Sequence, residues 1–243
     1  MKIICIVQAR MGSSRLRGKV LMPVKGKPLI VHTLDRLKKV KQIDRIILAT
    51  SDLAQDRPLV QVGLKEGVGV FTGSENDVLD RYYQAALPEK PDLIVRCTGD
   101  CPLLDPGVTD QVILQNMKSY KDYTSNTLIR SYPRGLDTEV FTFKALKWAA
   151  QEARKESERE HVTPYLYTEP GRFSTEQVVA EPSRHDPELR ICVDTAEDMK
   201  LIETIFDRLY DANPLFGIDP ILALMRREPQ LRDINSHVEQ KKL

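Results

Sequence analysis

The sequence predicts an α/β fold, a mostly parallel sheet with helices on both faces. Short apolar runs alternate with amphipathic helical patterns through the first half of the chain. Those runs are too continuously apolar to present a solvated face, as expected for strands covered on both sides. A length of 243 residues suits one large domain and allows a substantial buried core.

The elements follow in order. Ile3–Val7 is the first strand. Pro28 opens a helix to about Val40, with Leu29, Ile30, Leu34 and Leu37 on its apolar side. Arg45–Thr50 is the second strand, a polar helix spans Gln55–Glu66, and Val68–Phe71 is the third strand. Ser74 is placed to cap a helix Glu75–Ala86, with Asp77 favourable to its dipole. Asp92–Cys97 is the fourth strand, and Asp105 caps a helix opened by Pro106. The second half is less regular. Strands are expected at Tyr123–Asn126, Asp137–Phe141, Ser174–Val179 and Leu189–Val193, and helices at Lys144–Lys155 and Glu158–Tyr167. Thr195–Tyr210 is a helix with Asp198 at the capping-box position, and a helix at Pro220–Arg227 precedes a polar tail. The chain reads as a single domain, with residues 123–186 as an insertion that packs against a second subunit.

Charged residues make up 29% and the net charge is +1, so no overall field favours nucleic acid or a membrane surface. No run approaches transmembrane length, and Lys2 precedes a short strand rather than a signal-peptide core; a cytoplasmic chain is expected. Cys5, Cys97, Cys101 and Cys192 lack metal-ligand spacing and read as reduced; His32, His161, His185 and His237 form no zinc signature.

The stretch Gln8 to Lys19 is the most informative. It follows the first strand directly and carries Arg10, Arg15, Arg17, Lys19, Gly12 and Gly18. Glycines permit close approach to a ligand, Arg and Lys meet phosphate oxygens, and open α/β sheets bind nucleotides at such strand ends. It is not a Walker A loop, because five residues separate Gly12 from Gly18 and Val20 follows Lys19. The alternative is a solvated basic loop; its position and glycine spacing favour a triphosphate loop held by side-chain cations. No aromatic residue interleaves with it, which argues against a nucleic-acid module.

Two aspartates stand at strand ends. Asp100 follows Gly99 after the fourth strand, and Asp194 follows Val193 ahead of a helix. Each is either a turn residue or a carboxylate for magnesium, which takes one or two carboxylates plus substrate phosphates. Together with the cationic loop they form a coherent set.

At this point the chain resembles a known family. Ala9-Arg10 through Arg15-Leu16-Arg17-Gly18-Lys19-Val20-Leu21, Gly99-Asp100-Cys101-Pro102 and Val193-Asp194-Thr195 resemble motifs of the cytidylyltransferases that activate 2-keto-3-deoxy sugar acids. That family includes CMP-acylneuraminate and CMP-deoxyoctulosonate synthetases. Arg134 to Glu139 and Arg159 to Tyr165 resemble the spore-coat polysaccharide protein F branch in particular. One departure is Arg17, where the family commonly has Pro; Arg17 either loosens the loop or adds a phosphate contact.

The resemblance implies a Rossmann-like nucleotide-diphosphosugar-transferase fold, Mg2+ on Asp100 and Asp194, and transfer of CMP from CTP to a sugar-acid acceptor by a homodimer. Arg10, Arg15, Lys19 and Asp100 would be catalytic; Ala9, Gly12, Ser13, Ser14 and Ser74 would join the nucleotide site, unless Ser74 only caps its helix. On the acceptor side stand Arg134, Asp137, Glu139, Arg159 and His161, each with a solvated or structural role as the alternative. A nucleotidyltransferase with another acceptor, such as a phosphonate or phospho-sugar, and an idle binding protein of the same fold are the rival readings.

Overall fold

The structure is a computed structural model that describes residues 1–169 and 171–240. Position 170, inside the expected insertion, and the last three residues of the expected tail lie outside the described residues.

Seven strands form one sheet: β1 (Ile3–Gln8), β2 (Arg45–Ser51), β3 (Gly69–Gly73), β4 (Leu93–Thr98), β5 (Tyr123–Ser125), β6 (Glu139–Thr142) and β7 (Thr175–Gln177). Their order across the sheet is β3-β2-β1-β4-β6-β5-β7. The first four are parallel; β6 is antiparallel to both β4 and β5, and β7 runs parallel to β5. The chain steps outward from β1 to β3 and then returns to lay β4 on the other side of β1. That reversal leaves a crevice beyond the carboxyl ends of β1 and β4, where open α/β sheets take their ligands.

Alternate residues explain why both faces are covered. Cys5 and Val7 of β1 join the core beneath α1 (Leu29–Leu37), α2 (Arg57–Lys65), α4 (Pro106–Ser119), α8 (Ala196–Leu209) and α9 (Ile218–Arg227). Ile4 and Ile6 join a second core beneath α3 (Val78–Ala86), α5 (Phe143–Glu152) and α7 (Pro164–Thr168). A sixth short helix, α6, spans Glu156–His161. The expected α/β fold with a mostly parallel sheet is therefore present.

Several local expectations needed correction. The helix after β3 starts at Val78, three residues late, because Asp77 and not Ser74 caps it: the Asp77 carboxylate accepts from the Asp80 N–H at 2.9 Å. Ser74 Oγ instead accepts from the Asp77 N–H at 3.0 Å and shapes the approach. The helix expected over Glu158–Tyr167 is two helices. Val162 has φ of 73°, which breaks the first, and Pro164 at the first turn opens the second. Leu189–Val193 is not a sheet strand. It threads between two loops, its Ile191 N–H donating to the Arg134 carbonyl at 2.8 Å and its Val193 N–H to the Asp100 carbonyl at 2.9 Å. The polar segment expected after α9 packs back on the body, with Leu231 and Asn235 buried. The capping box at Thr195 and Asp198 and the Asp105 cap are formed as expected.

Gly135 makes the threading possible. Its φ is 107°, and a Cβ there would sit 2.7 Å from the Ile191 carbonyl oxygen. Gly135→Ala is expected to lower unfolding free energy by about 1–3 kcal/mol, read from urea denaturation. An unchanged midpoint would mean that the 134–136 turn can rearrange at no cost.

Candidate active site

A cleft of about 760 Å³ opens over the carboxyl ends of β1 and β4. That is room for a nucleotide with a second substrate beside it. Three chain segments build it. The loop after β1 is tied to the body by Met11, whose N–H donates to the Asp56 carboxylate at 2.7 Å, and it closes through the Gly18 N–H on the Met11 carbonyl at 3.0 Å. Met11 and Leu16 pack on the core, which leaves Ser13, Ser14 and Arg15 facing out and turns Lys19 inward.

The turn after β4 presses against that loop. Gly99 donates its N–H to the Gln8 carbonyl at 2.8 Å, and a Cβ there would lie 2.6 Å from Ile30 and 2.9 Å from Ala9. Only glycine lets the two strand tips meet, and Asp100 is thereby delivered to the cleft. The third segment brings Asp194 in from the far end of the chain.

These segments converge on Lys19. Its ammonium donates to Asp100 Oδ2 at 2.8 Å, Asp194 Oδ1 at 2.6 Å and the Val193 carbonyl at 2.6 Å. Burial alone would depress the lysine pKa, but the two aspartates outweigh it and raise it above its ordinary value. Burial likewise opposes ionisation of Asp194, yet Lys19, Arg190 and Arg15 hold its pKa below the usual carboxylate range. Arg15 and Arg190 both reach Asp194 Oδ2, at 2.9 and 2.6 Å. Arg190 is anchored from behind by Asp198 of the α8 capping box, at 2.9 Å.

The other half of the cleft is lined by residues of the 123–186 region. Arg130 forks onto Asp137 at 2.5 and 3.0 Å. Arg134 lines the same wall, and among the described residues its guanidinium makes no ion pair, although the Asp137 carboxylate attracts it from farther off. Burial first, and then Arg130, depress its pKa. On the floor, Arg96 pairs with Glu139, which also accepts from Tyr123 at 2.7 Å and Thr163 at 2.6 Å. His161 lies at the rim beside Glu160, at 3.8 Å, and Arg10 faces Glu160 at 4.0 Å.

Of the residues singled out from sequence, Ala9, Arg10, Ser13, Ser14, Arg15, Lys19, Asp100 and Asp194 line the cleft, as do Arg134, Asp137, Glu139 and His161. Three are elsewhere. Gly12 faces Gln55 and Glu75, Ser74 serves the approach to α3, and Arg159 is bound to Asp77 at 2.5 Å and to the Ala150 carbonyl at 2.8 Å. Arg17 is exposed and does not reach the cleft. Sequence reasoning passed over Arg96, Arg130 and Arg190, and also Arg81, a buried cleft residue that donates to the Ser74 carbonyl at 2.7 Å. A buried strand interrupted by Arg96 was the one available signal, since a lone cation in an apolar run needs a partner.

Among the described residues no three His, Cys, Asp or Glu side chains gather to hold a metal. Two do converge: Asp100 and Asp194 already share one cationic atom. Such a pair of carboxylate oxygens fits magnesium, which completes its shell with substrate phosphates and water.

Comparison with known proteins agrees with this geometry. The family model for cytidylyltransferases matches residues 4–237. The chain is 39% identical to the uncharacterized protein MJ1063 of Methanocaldococcus jannaschii, over 99% of this chain and 97% of that one. It is 33% identical to the spore coat polysaccharide biosynthesis protein SpsF of Bacillus subtilis, over 93% and 95%. The solved structure of a cytidylyltransferase from Leptospira borgpetersenii superposes with a TM-score of 0.90 at 29% identity, covering all of both chains. A cationic loop, two convergent strand-tip aspartates and a match along nearly its whole length place this chain in the cytidylyltransferase family.

Proposed function

We propose that this cytidylyltransferase transfers CMP from CTP to a sugar acid of the 2-keto-3-deoxy type, releasing pyrophosphate, for polysaccharide biosynthesis. The observation that carries the acceptor class is Arg134. A half-buried guanidinium that makes no ion pair among the described residues, in the same cleft as the phosphate loop, is a seat for an acceptor carboxylate. The motif resemblance to activators of such acids supports the same acceptor, and the likeness to SpsF supports the role in polysaccharide biosynthesis.

In this scheme an acceptor hydroxyl oxygen attacks the α-phosphorus in line. The bond from that phosphorus to the bridging oxygen of the leaving pyrophosphate breaks, and the hydroxyl proton passes to solvent. Positioning and charge stabilisation carry such transfers. Arg10, Arg15 and Lys19 neutralise the triphosphate and the departing pyrophosphate. Backbone at Ala9, with Ser13 and Ser14, lines the nucleotide half. Magnesium on Asp100 and Asp194 would supply charge that polarises the α-phosphate. Asp137 and Glu139 are committed to Arg130 and Arg96, so their role is to fix the acceptor wall. His161 lines the cleft at its rim on the acceptor side.

The protein is further proposed to be a cytoplasmic homodimer. Among the described residues no helix is long and apolar enough to cross a membrane. Leu128, Ile129 and Val179 are exposed on the 123–186 region beside the cleft, an apolar group suited to a partner subunit. Ile129→Asp should shift sedimentation from dimer to monomer; a monomeric wild type would refute the assignment.

The acceptor reading is tested by pyrophosphate release from CTP over a panel of keto-deoxy sugar acids, their amides, phospho-sugars and phosphonates. Turnover is expected with the free acids and not the amides. Arg134→Ala should raise KM for the acceptor by about ten- to a hundredfold, the loss of one charge-assisted pair, and leave CTP affinity within about twofold. Preference for a phosphonate would keep the chemistry and change the acceptor.

A further inference from the structure

The cleft contains its own cation. An ammonium has three protons, and those of Lys19 are all engaged, on Asp100, Asp194 and the Val193 carbonyl. The residue is only 6% exposed. No donor remains for a phosphate, so the placement described here and the phosphate-binding role exclude one another. The carboxylate oxygens that hold the ammonium are also those a divalent ion needs. One position is contested by two cations.

The surrounding arginines differ in how firmly they are held. Arg190 is gripped by Asp198 at 2.9 and 3.1 Å and is buried. Arg15 is more exposed; among the described residues its one hydrogen-bond partner besides Asp194 is the Glu239 carbonyl at 3.2 Å. Removal of Lys19 and Arg15 would leave Asp194 Oδ1 open while Arg190 still oriented Oδ2.

We propose that Lys19 is the resident occupant of the metal seat and is withdrawn from it by the triphosphate. Nucleotide and metal then bind with positive coupling, and metal without nucleotide is shut out. The inference rests on the nucleotide and metal roles assigned under the proposed function. A polyanion offers Lys19 a better partner than two carboxylates, one of which, Asp194, is already shared with Arg15 and Arg190. The vacated carboxylates need a cation, and one bridging to the phosphates satisfies both. Linkage makes the coupling reciprocal: metal must tighten the nucleotide by the factor by which nucleotide tightens the metal.

The test uses full-length protein and Mn2+ as a paramagnetic substitute for magnesium, followed by water-proton relaxation with and without CTP and corrected for Mn2+ held by free CTP. Wild type should bind Mn2+ weakly alone and at least about tenfold more tightly with CTP. Lys19→Met should bind Mn2+ alone about tenfold more tightly than wild type, while CTP binds less well and the coupling shrinks to about threefold or less. Lys19→Gln, which retains a donor to one carboxylate, should move the same way by less. A cooperative melt for each variant establishes that the comparison is between folded proteins. If wild type shows CTP-dependent Mn2+ binding and neither variant binds the ion better alone, Lys19 is not the occupant; the nucleotide reading survives. If no protein binds Mn2+ even with CTP, the metal role and this inference fall together.

Discussion

Every feature of the cleft depends on the burial of like charges close together. Asp100, Asp194 and Asp198 cannot share so small a volume unless cations separate them, and Lys19, Arg15 and Arg190 do so one for one. Buried charges are costly to desolvate, and mutual attraction offsets this only where geometry is good and every donor and acceptor is used. Here it is. Lys19 uses three donors, and Arg190 spans two carboxylates and the side chain of Gln240. The cluster also stitches the fold, since its members come from the loop after β1, the turn after β4 and the start of α8. Under the proposed function, these are the pairs a triphosphate would rearrange.

That dependence explains which parts of the molecule can be read from sequence. The buried strands were legible because burial on both faces leaves an uninterrupted apolar run, as in Ile3–Val7. The capping box at Thr195 was legible because its partners are three residues apart. What failed was local competition. Ser74 and Asp77 are both good caps, and the choice between them falls to the tertiary bond that ties Ser74's carbonyl to Arg81. Leu189–Val193 has strand-like composition, but its partners are the turns at Arg134 and Asp100, which no local pattern can announce.

The site divides in the same way. Its proposed nucleotide half is compact in sequence, so Arg10, Arg15 and Lys19 could be picked from one loop, and two aspartates from strand ends. Its proposed acceptor half is assembled across distance. Arg159 was as plausible a cation as Arg134 until the fold placed Asp77 against it. Glu139, read as a sugar ligand, is saturated by Arg96, Tyr123 and Thr163. Arg190 escaped notice because its meaning lies in orienting Asp194, and orientation is not a property of spacing.

The cysteines beside the cluster bear on how the transfer proceeds. Cys101 and Cys192 both line the cleft, next to the aspartates. A thiol attacks as the thiolate, and reactive cysteines stand in electropositive, partly exposed surroundings. Here burial raises both thiol pKa values, and the Asp100 carboxylate adds to the effect in each. The aspartates that suit a metal thus disfavour a thiolate, and at Cys192 burial together with those aspartates outweighs the opposing charge of Arg190. Lys19, protonated and triply bonded, has no lone pair to offer either. With these thiols and the Lys19 ammonium held in their unreactive forms, the proposed function is best served by a single displacement in which the acceptor's own oxygen attacks phosphorus.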